Sequence, residues 1–279
     1  MTLWTKLLAL ATGLLLANST QAQNLFDAEH TQDYARYLFQ AGEYSLAAEE
    51  YERLAFMQPN NTEARLSLVS AHRKAGALTT ALYRLEQYFP ADSGLTSDFA
   101  REKARLLLLT GQLNGARKLL AIPMLDNPQE QLTLRVTTEL LDSEWSTAQS
   151  LLAANEARGN NPTLNQFAEL TTEALTMKRK SPALSVGLSA VVPGLGKAYS
   201  GAWKDGAISL LFVGVTAWQA YRGFSKNGVE SAYGWTFASI SAAFYIGNLY
   251  GSGKAAQKHN RDRVHKIHHR VEEAFKRML

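Results

Sequence analysis

The chain has 279 residues, 46% of them hydrophobic, which is enough for two domains of ordinary size. It contains no cysteine, which excludes a disulfide framework, a thiol nucleophile and any cysteine-based metal site. The formal charge of +4 is unevenly placed: residues 254–279 carry eight Lys/Arg against three Asp/Glu, so the high pI belongs to the tail and gives no reason to expect nucleic-acid binding.

The first element is 1–22. Lys6 supplies a positive flank, residues 7–17 an apolar core, and Thr20 and Ala22 small residues at the cleavage positions. This pattern is a secretory signal cut after Ala22, which places the following domain outside the cytoplasm of a bacterial source.

From 23 to 180 the chain reads as a helical repeat array. Gly42, Gly76 and Gly111 stand 34 and 35 residues apart, and Ser143 takes the fourth place in the column. Five residues after each comes an alanine (Ala47, Ala81, Ala116, Ala148), and nine after each a large apolar residue (Tyr51, Leu85, Leu120, Leu152). The glycine suits a tight turn between two helices, and the alanine lets the pair approach closely. The large residue lies four positions beyond the alanine, on the same face of the second helix. Asn161, Pro162 and Thr163 introduce a last helix, about 164–177, that caps the array.

The segment ARYLFQAGEYSLAAEEYERLAFMQPNN resembles a tetratricopeptide repeat, as do SLVSAHRKAGALTTALYRLEQYFP and ARLLLLTGQLNGARKLL. The fourth copy, LLDSEWSTAQSLLAANEARG, departs from the pattern in lacking the turn glycine. The resemblance implies an α-solenoid whose first helices line a concave protein-binding face. On that face stand Arg36, Phe39 and Gln40, then Ser70, Arg73 and Lys74, then Arg105 and Leu108; a solvated or packing role for the same side chains is the competing reading. Tyr34, Leu38, Leu68 and His72 are expected to pack between helices.

Residues 181–253 contain three uncharged runs, 181–196, 206–221 and 231–253. A bilayer core requires about 20 helical residues, so the third run is long enough, and the second becomes so if Lys204 and Arg222 extend their charges to the headgroups. The first is broken by Pro182 and Pro193, and two spans plus a surface-lying first segment is the favoured arrangement. Pro193, Gly194, Gly196, Tyr199 and Gly201 form PGLGKAYSG, which is similar to the PGxGQxYxG signature of small bacterial two-span membrane domains, with Lys197 in place of glutamine. The spacing does not meet GxxxxGK[ST], so no phosphate-binding loop is expected. Asn248, within an apolar stretch, is a candidate interhelical hydrogen-bonding group.

The tail, 254–279, carries Val264, Ile267, Val271, Ala274 and Phe275 at helical spacing. Its apolar stripe and basic face suit anionic lipid or a partner. His265 and His269 lie four apart, but no third ligand completes a metal site.

The expected fold is therefore all-α: a tetratricopeptide-like α-solenoid followed by a helical membrane domain. The expected function is a membrane-anchored envelope scaffold at the bacterial cytoplasmic membrane, with its repeats on the periplasmic side recruiting a protein partner. A component of a membrane transport or insertion assembly is the alternative. No catalytic residues, cofactor or metal are expected, and the partners would be a protein and membrane lipid, with no nucleic acid.

Overall fold

The computed structural model describes residues 27–90, 95–154 and 161–279, and among these every regular element is helical. The expected signal segment, 1–22, lies outside them. The chain divides into two compact units, Met1–Leu134 and Arg135–Leu279.

The first unit holds α1 (Ala28–Gln40), α2 (Tyr44–Met57), α3 (Thr62–Lys74), α4 (Leu78–Tyr88), α5 (Ser97–Leu109) and α6 (Leu113–Leu120), and the first half of α7 (Pro128–Leu141). Asp27 and Asn61 cap α1 and α3 by accepting the N–H groups of His30 and Ala64. Each first helix ends in one left-handed residue, Gly42, Gly76 or Gly111, with φ of 83°, 79° and 71°. At all three, the turn N–H donates to the carbonyl three residues back, and the next N–H reaches the carbonyl five back, as in Glu43 N–H to Leu38 O at 2.9 Å. Ala47, Ala81 and Ala116 are fully buried at the helix crossings. Around Ala47 the core is completed by Leu38, Tyr51, Leu54 and Leu68, with Phe39 packed against it.

The second unit contains the rest of α7, α8 (Trp145–Ala153), α9 (Pro162–Thr176), α10 (Pro182–Val191), the single turn α11 (Leu195–Tyr199), α12 (Trp203–Asn227), a 3-10 turn (Gly228–Glu230) and α13 (Ala232–Lys276). The left-handed turn recurs between α7 and α8, held there by Ser143 at φ 63°. The same two backbone bonds form, from Ser143 N–H to Leu140 O and from Glu144 N–H to Glu139 O.

Helices α12 and α13 form a hairpin, and α10 and α11 pack into its open end at backbone distance. A Cβ on Gly196 would lie 1.7 Å from Ser185 O, one on Gly194 would lie 2.0 Å from Gly206 O, and one on Gly223 would lie 2.7 Å from Gly234 Cα. Only hydrogen fits at these crossings.

No helix among the described residues is long and apolar enough to cross a membrane. The uncharged part of α12 runs only over 206–221 and is diluted by Gly206, Ser209, Gly214, Thr216 and Gln219. The opening of α13 likewise carries Gly234, Ser239, Ser241, Gly247, Asn248 and Ser252. These findings correct the expectation of a C-terminal membrane domain with transmembrane helices. They correct with it the membrane-anchored envelope scaffold, the membrane transport alternative, lipid as a partner, and the location at the bacterial cytoplasmic membrane. The tail, whose apolar stripe was expected to meet anionic lipid or a partner, is covered by the chain itself. It continues α13 without a break, and Ile267, Val271, Ala274 and Phe275 are buried inside the second unit. Arg270 bonds Glu173 at 2.5 Å and Arg277 bonds Gln166 at 3.0 Å, both on α9.

The glycine crossings generate a paired prediction. Gly196→Ala drives a methyl into the Ser185 carbonyl and is expected to destabilise the second unit by about 3 kcal/mol or more. Gly214→Ala meets nothing within 4 Å and is expected to be neutral or to stabilise by up to about 1 kcal/mol through helix propensity. Urea unfolding followed by circular dichroism separates them, and equal midpoints would refute the close-approach argument.

Candidate functional site

Three arrangements hold the chemically informative side chains, one in the first unit and two in the second.

In the first unit an ionic network runs from α3 to α7. Arg73 Nε and Nη2 donate to the two carboxylate oxygens of Glu102 at 2.6 and 3.1 Å, a bidentate pair with both side chains almost fully buried. Arg105 bridges Glu102 at 3.2 Å and Glu130 at 2.9 Å, and Arg101 joins Glu130 at 2.8 Å and also pairs with Asp98. Each arginine therefore reaches a carboxylate on a following first helix.

This network sorts the candidate groove residues. Arg73 and Arg105 are held in ion pairs, and Leu108 is 5% exposed in the core. Phe39 is half-buried between the rings of Tyr44 and Tyr51, at 5.3 and 6.4 Å. Ser70 is half-buried as well. Arg36, Gln40 and Lys74 are exposed, Arg36 paired with Asp33 at 3.0 Å and Lys74 5.7 Å from the Tyr44 ring centroid. The face thus offers three accessible polar side chains where eight were candidates. Glu102 and Glu130 escaped sequence reading, although Arg73/Glu102 and Arg101/Glu130 share a separation of 29 residues.

In the second unit the PGLGKAYSG segment sits over a core of small polar side chains. Gly194 N–H donates to Asn248 Oδ1 at 3.0 Å, and Gly196 N–H donates to Ser189 Oγ at 2.9 Å. Ser189 Oγ meets Ser252 Oγ at 2.6 Å, Ser252 Oγ donates to Asn248 O at 2.8 Å, and Ser185 Oγ lies 2.8 Å from Gly196 O and 2.7 Å from Ser252 O. Asn248 is buried, and its Nδ2 has no partner. Pro193 is half-buried at the break between α10 and α11. Tyr199 is half-buried under the Lys180 ammonium, 4.4 Å from its ring centroid, and its hydroxyl accepts the Ser181 N–H at 3.4 Å. Gly201 is exposed, with φ 89° in the turn before α12. These residues position helices.

The third arrangement lies along the hairpin. A groove of about 430 Å³ is floored by Val213, Ala217, Ala220, Ala238 and Ala242 and rimmed by Tyr221, Phe224 and Tyr245, with no charged residue in its lining. The same helices expose Leu211, Trp218, Tyr221, Trp235, Ile246 and Tyr250.

Two histidines are held neutral by their surroundings. Burial is the main cause of lowering for both His72 and His268. For His72 the Arg84 guanidinium adds to it and Glu52 opposes it, and for His268 the neighbour His265 adds and Glu272 opposes. His268 Nε2 meets Ser143 Oγ at 3.0 Å, and its ring lies 5.6 Å from that of Trp145. The histidine thus supports the one turn in the series that uses a residue other than glycine. Among the described residues no group of His, Asp or Glu is gathered to hold a metal.

The fold and these sites define an all-α protein of paired helices with an apolar helical hairpin. No family model, curated protein sequence or solved structure matches the chain. The resemblances to tetratricopeptide repeats and to the PGxGQxYxG membrane domains therefore do not extend to membership of either family. What the helix pairs share with tetratricopeptide repeats is the turn and the alanine crossing.

Two predictions follow from the buried charges and histidines. Glu102→Ala leaves Arg73 buried without its carboxylate and is expected to cost about 3–5 kcal/mol, whereas the double change Arg73→Met, Glu102→Leu costs far less. A double-mutant cycle in urea checks this, and a small loss from Glu102→Ala would sink the network as a stabilising feature. For the histidines, the unfolded chain takes up protons near pH 6.5 while the folded chain resists until lower pH. Their contribution is therefore complete above about pH 6.5 and is lost as pH falls through that value toward the lower folded-state pKa values. His268→Gln, which keeps a partner for Ser143, should flatten this acid-side loss, and an unchanged urea midpoint slope between about pH 7 and 5 would contradict it.

Proposed function

We propose that the protein is a non-enzymatic assembly module that pairs with a second copy of itself through the α12–α13 hairpin. The observation that carries this reading is the uncharged groove of small residues with an aromatic rim. A two-fold axis sets the rim of each copy on the alanine floor of the other, giving the self-complementary contact that an isologous interface requires. The absence of charge from the lining fits a permanent homodimer core better than a transient contact, whose composition resembles ordinary surface.

Pairing would duplicate the first unit, whose accessible Arg36, Gln40 and Lys74 are the best-placed residues for a protein partner. Two copies in one particle raise the effective concentration of a weak site for a multivalent partner. The work proposed is association, with no bond chemistry assigned to any residue.

Sedimentation equilibrium of the full chain tests the pairing. A dimer is expected at about micromolar concentration, and Ala242→Glu, a charge placed on the exposed groove floor, should weaken it by about a hundredfold or more while leaving the helical content unchanged. A monomer at all concentrations, dimerisation indifferent to Ala242→Glu, or a monomer that stays dispersed only in detergent would each overturn the reading. A photo-crosslinking residue at Gln40 should give protein adducts in the native host, and one at Arg105 should not. Equal yields at the two positions would remove the partner-binding role of the exposed set.

A further inference from the structure

The turn between α11 and α12 and the facing stretch of α13 enclose a cleft of about 540 Å³ in the second unit, apart from the apolar groove. Its walls carry Lys197, Lys254, Lys258 and Arg261, against only Asp205 and Asp262, with His259 at the edge. The cations come from α11 and from successive turns of one face of α13, so like charges are held three and four residues apart, an arrangement that costs stability without a counter-ion.

Four cations face two carboxylates in this lining, and Lys258 and Arg261 are exposed, while Lys254 lies 5.5 Å from the ring centroid of Tyr250. Lys197 is half-buried and donates to Ser209 Oγ at 2.7 Å, which fixes its ammonium in the wall.

Glycine backbone makes the room. A Cβ on Gly251 would come within 3.1 Å of Lys197 Cε, tighter than ordinary contact. A larger residue at this position would crowd the Lys197 side chain. The volume falls in the range of small-ligand sites, about 300–1,000 Å³, and several convergent cations at such a site suit the multiple acceptor oxygens of a phosphate group. The carboxylates of Asp205 and Asp262 can accept from hydroxyl groups on the same ligand.

We infer that this cleft binds a phosphorylated small molecule, with Lys197, Lys254, Lys258 and Arg261 holding the phosphate. This site is formed within one chain and does not rest on pairing with a second copy. It also differs from a phosphate-binding loop: side-chain cations do the holding, because the N–H groups of Gly201 and Ala202 are already bonded to Ala198 O and Lys197 O.

Calorimetric titration of the full chain with inorganic pyrophosphate tests the site. One saturable site per chain is expected, with sulfate and chloride competing weakly. The exposed pair Lys258→Ser, Arg261→Ser should weaken pyrophosphate binding by about tenfold or more. Arg263→Ser removes a cation from the same helix outside the cleft lining and should change affinity by less than about twofold. Absence of saturable binding, an equal loss from Arg263→Ser, or displacement by chloride as readily as by pyrophosphate would overturn the assignment. Circular dichroism of each variant confirms that folding is retained.

Discussion

At the open end of the α12–α13 hairpin, polypeptide backbones touch. Gly194 against Gly206 and Gly196 against Ser185 leave room for hydrogen alone, and the surrounding interior is made of Ser185, Ser189, Ser200, Asn248 and Ser252. Packing this close removes water from N–H groups that no helix ladder serves. Each must find a partner or cost about 1–3 kcal/mol, and the serine hydroxyls and the Asn248 amide oxygen provide those partners. Geometry and polarity are therefore coupled: hydrogen is needed where chains cross, and short polar side chains are needed beside it.

That interior has no space for large apolar groups, so the tryptophans, tyrosines and leucines of α12 and α13 turn outward. The same constraint produces two surface features of the second unit. Along the hairpin it leaves an apolar groove that no element among the described residues covers, and at the α11–α12 turn it opens a cleft into which lysines from two helices converge. An ordinary helical core, with leucine and phenylalanine inside, would have consumed the first feature and closed the second.

The first unit is held by different means. Its crossings use buried alanine, its turns use left-handed glycine, and its polar interior is a chain of arginine–carboxylate pairs that step from one first helix to the next. Such pairs contribute little net stability over apolar replacements of equal volume, but they tolerate no missing member. Arg73 and Arg105 resemble exposed recognition residues in the sequence because charged side chains on a helix face are usually solvated. Their burial follows from Glu102 and Glu130 standing opposite on neighbouring helices.

The sequence by itself determined the helix pairs, through the recurrence of Gly42, Gly76, Gly111 and Ser143 with the alanines five residues on. Turn conformation and close approach are local demands that only certain residues meet, so they leave a readable column even when the fourth member is Ser143. The PGLGKAYSG motif was also legible in the sequence, and two of its glycines, Gly194 and Gly196, are points of close contact. What they contact was decided by tertiary structure alone, because Gly206, Ser189 and Asn248 become neighbours only when α10 and α11 dock into the hairpin. The same holds for the tail, whose apolar stripe was plain in sequence while its burial inside the second unit was not. Amphipathic periodicity states that a face requires cover, and it carries no information on whether lipid, a partner or the chain's own helices provide it. The basic cleft shows the same limit. Lys197 and Arg261 lie far apart in sequence, and their common field exists only once the backbone brings α11 against α13.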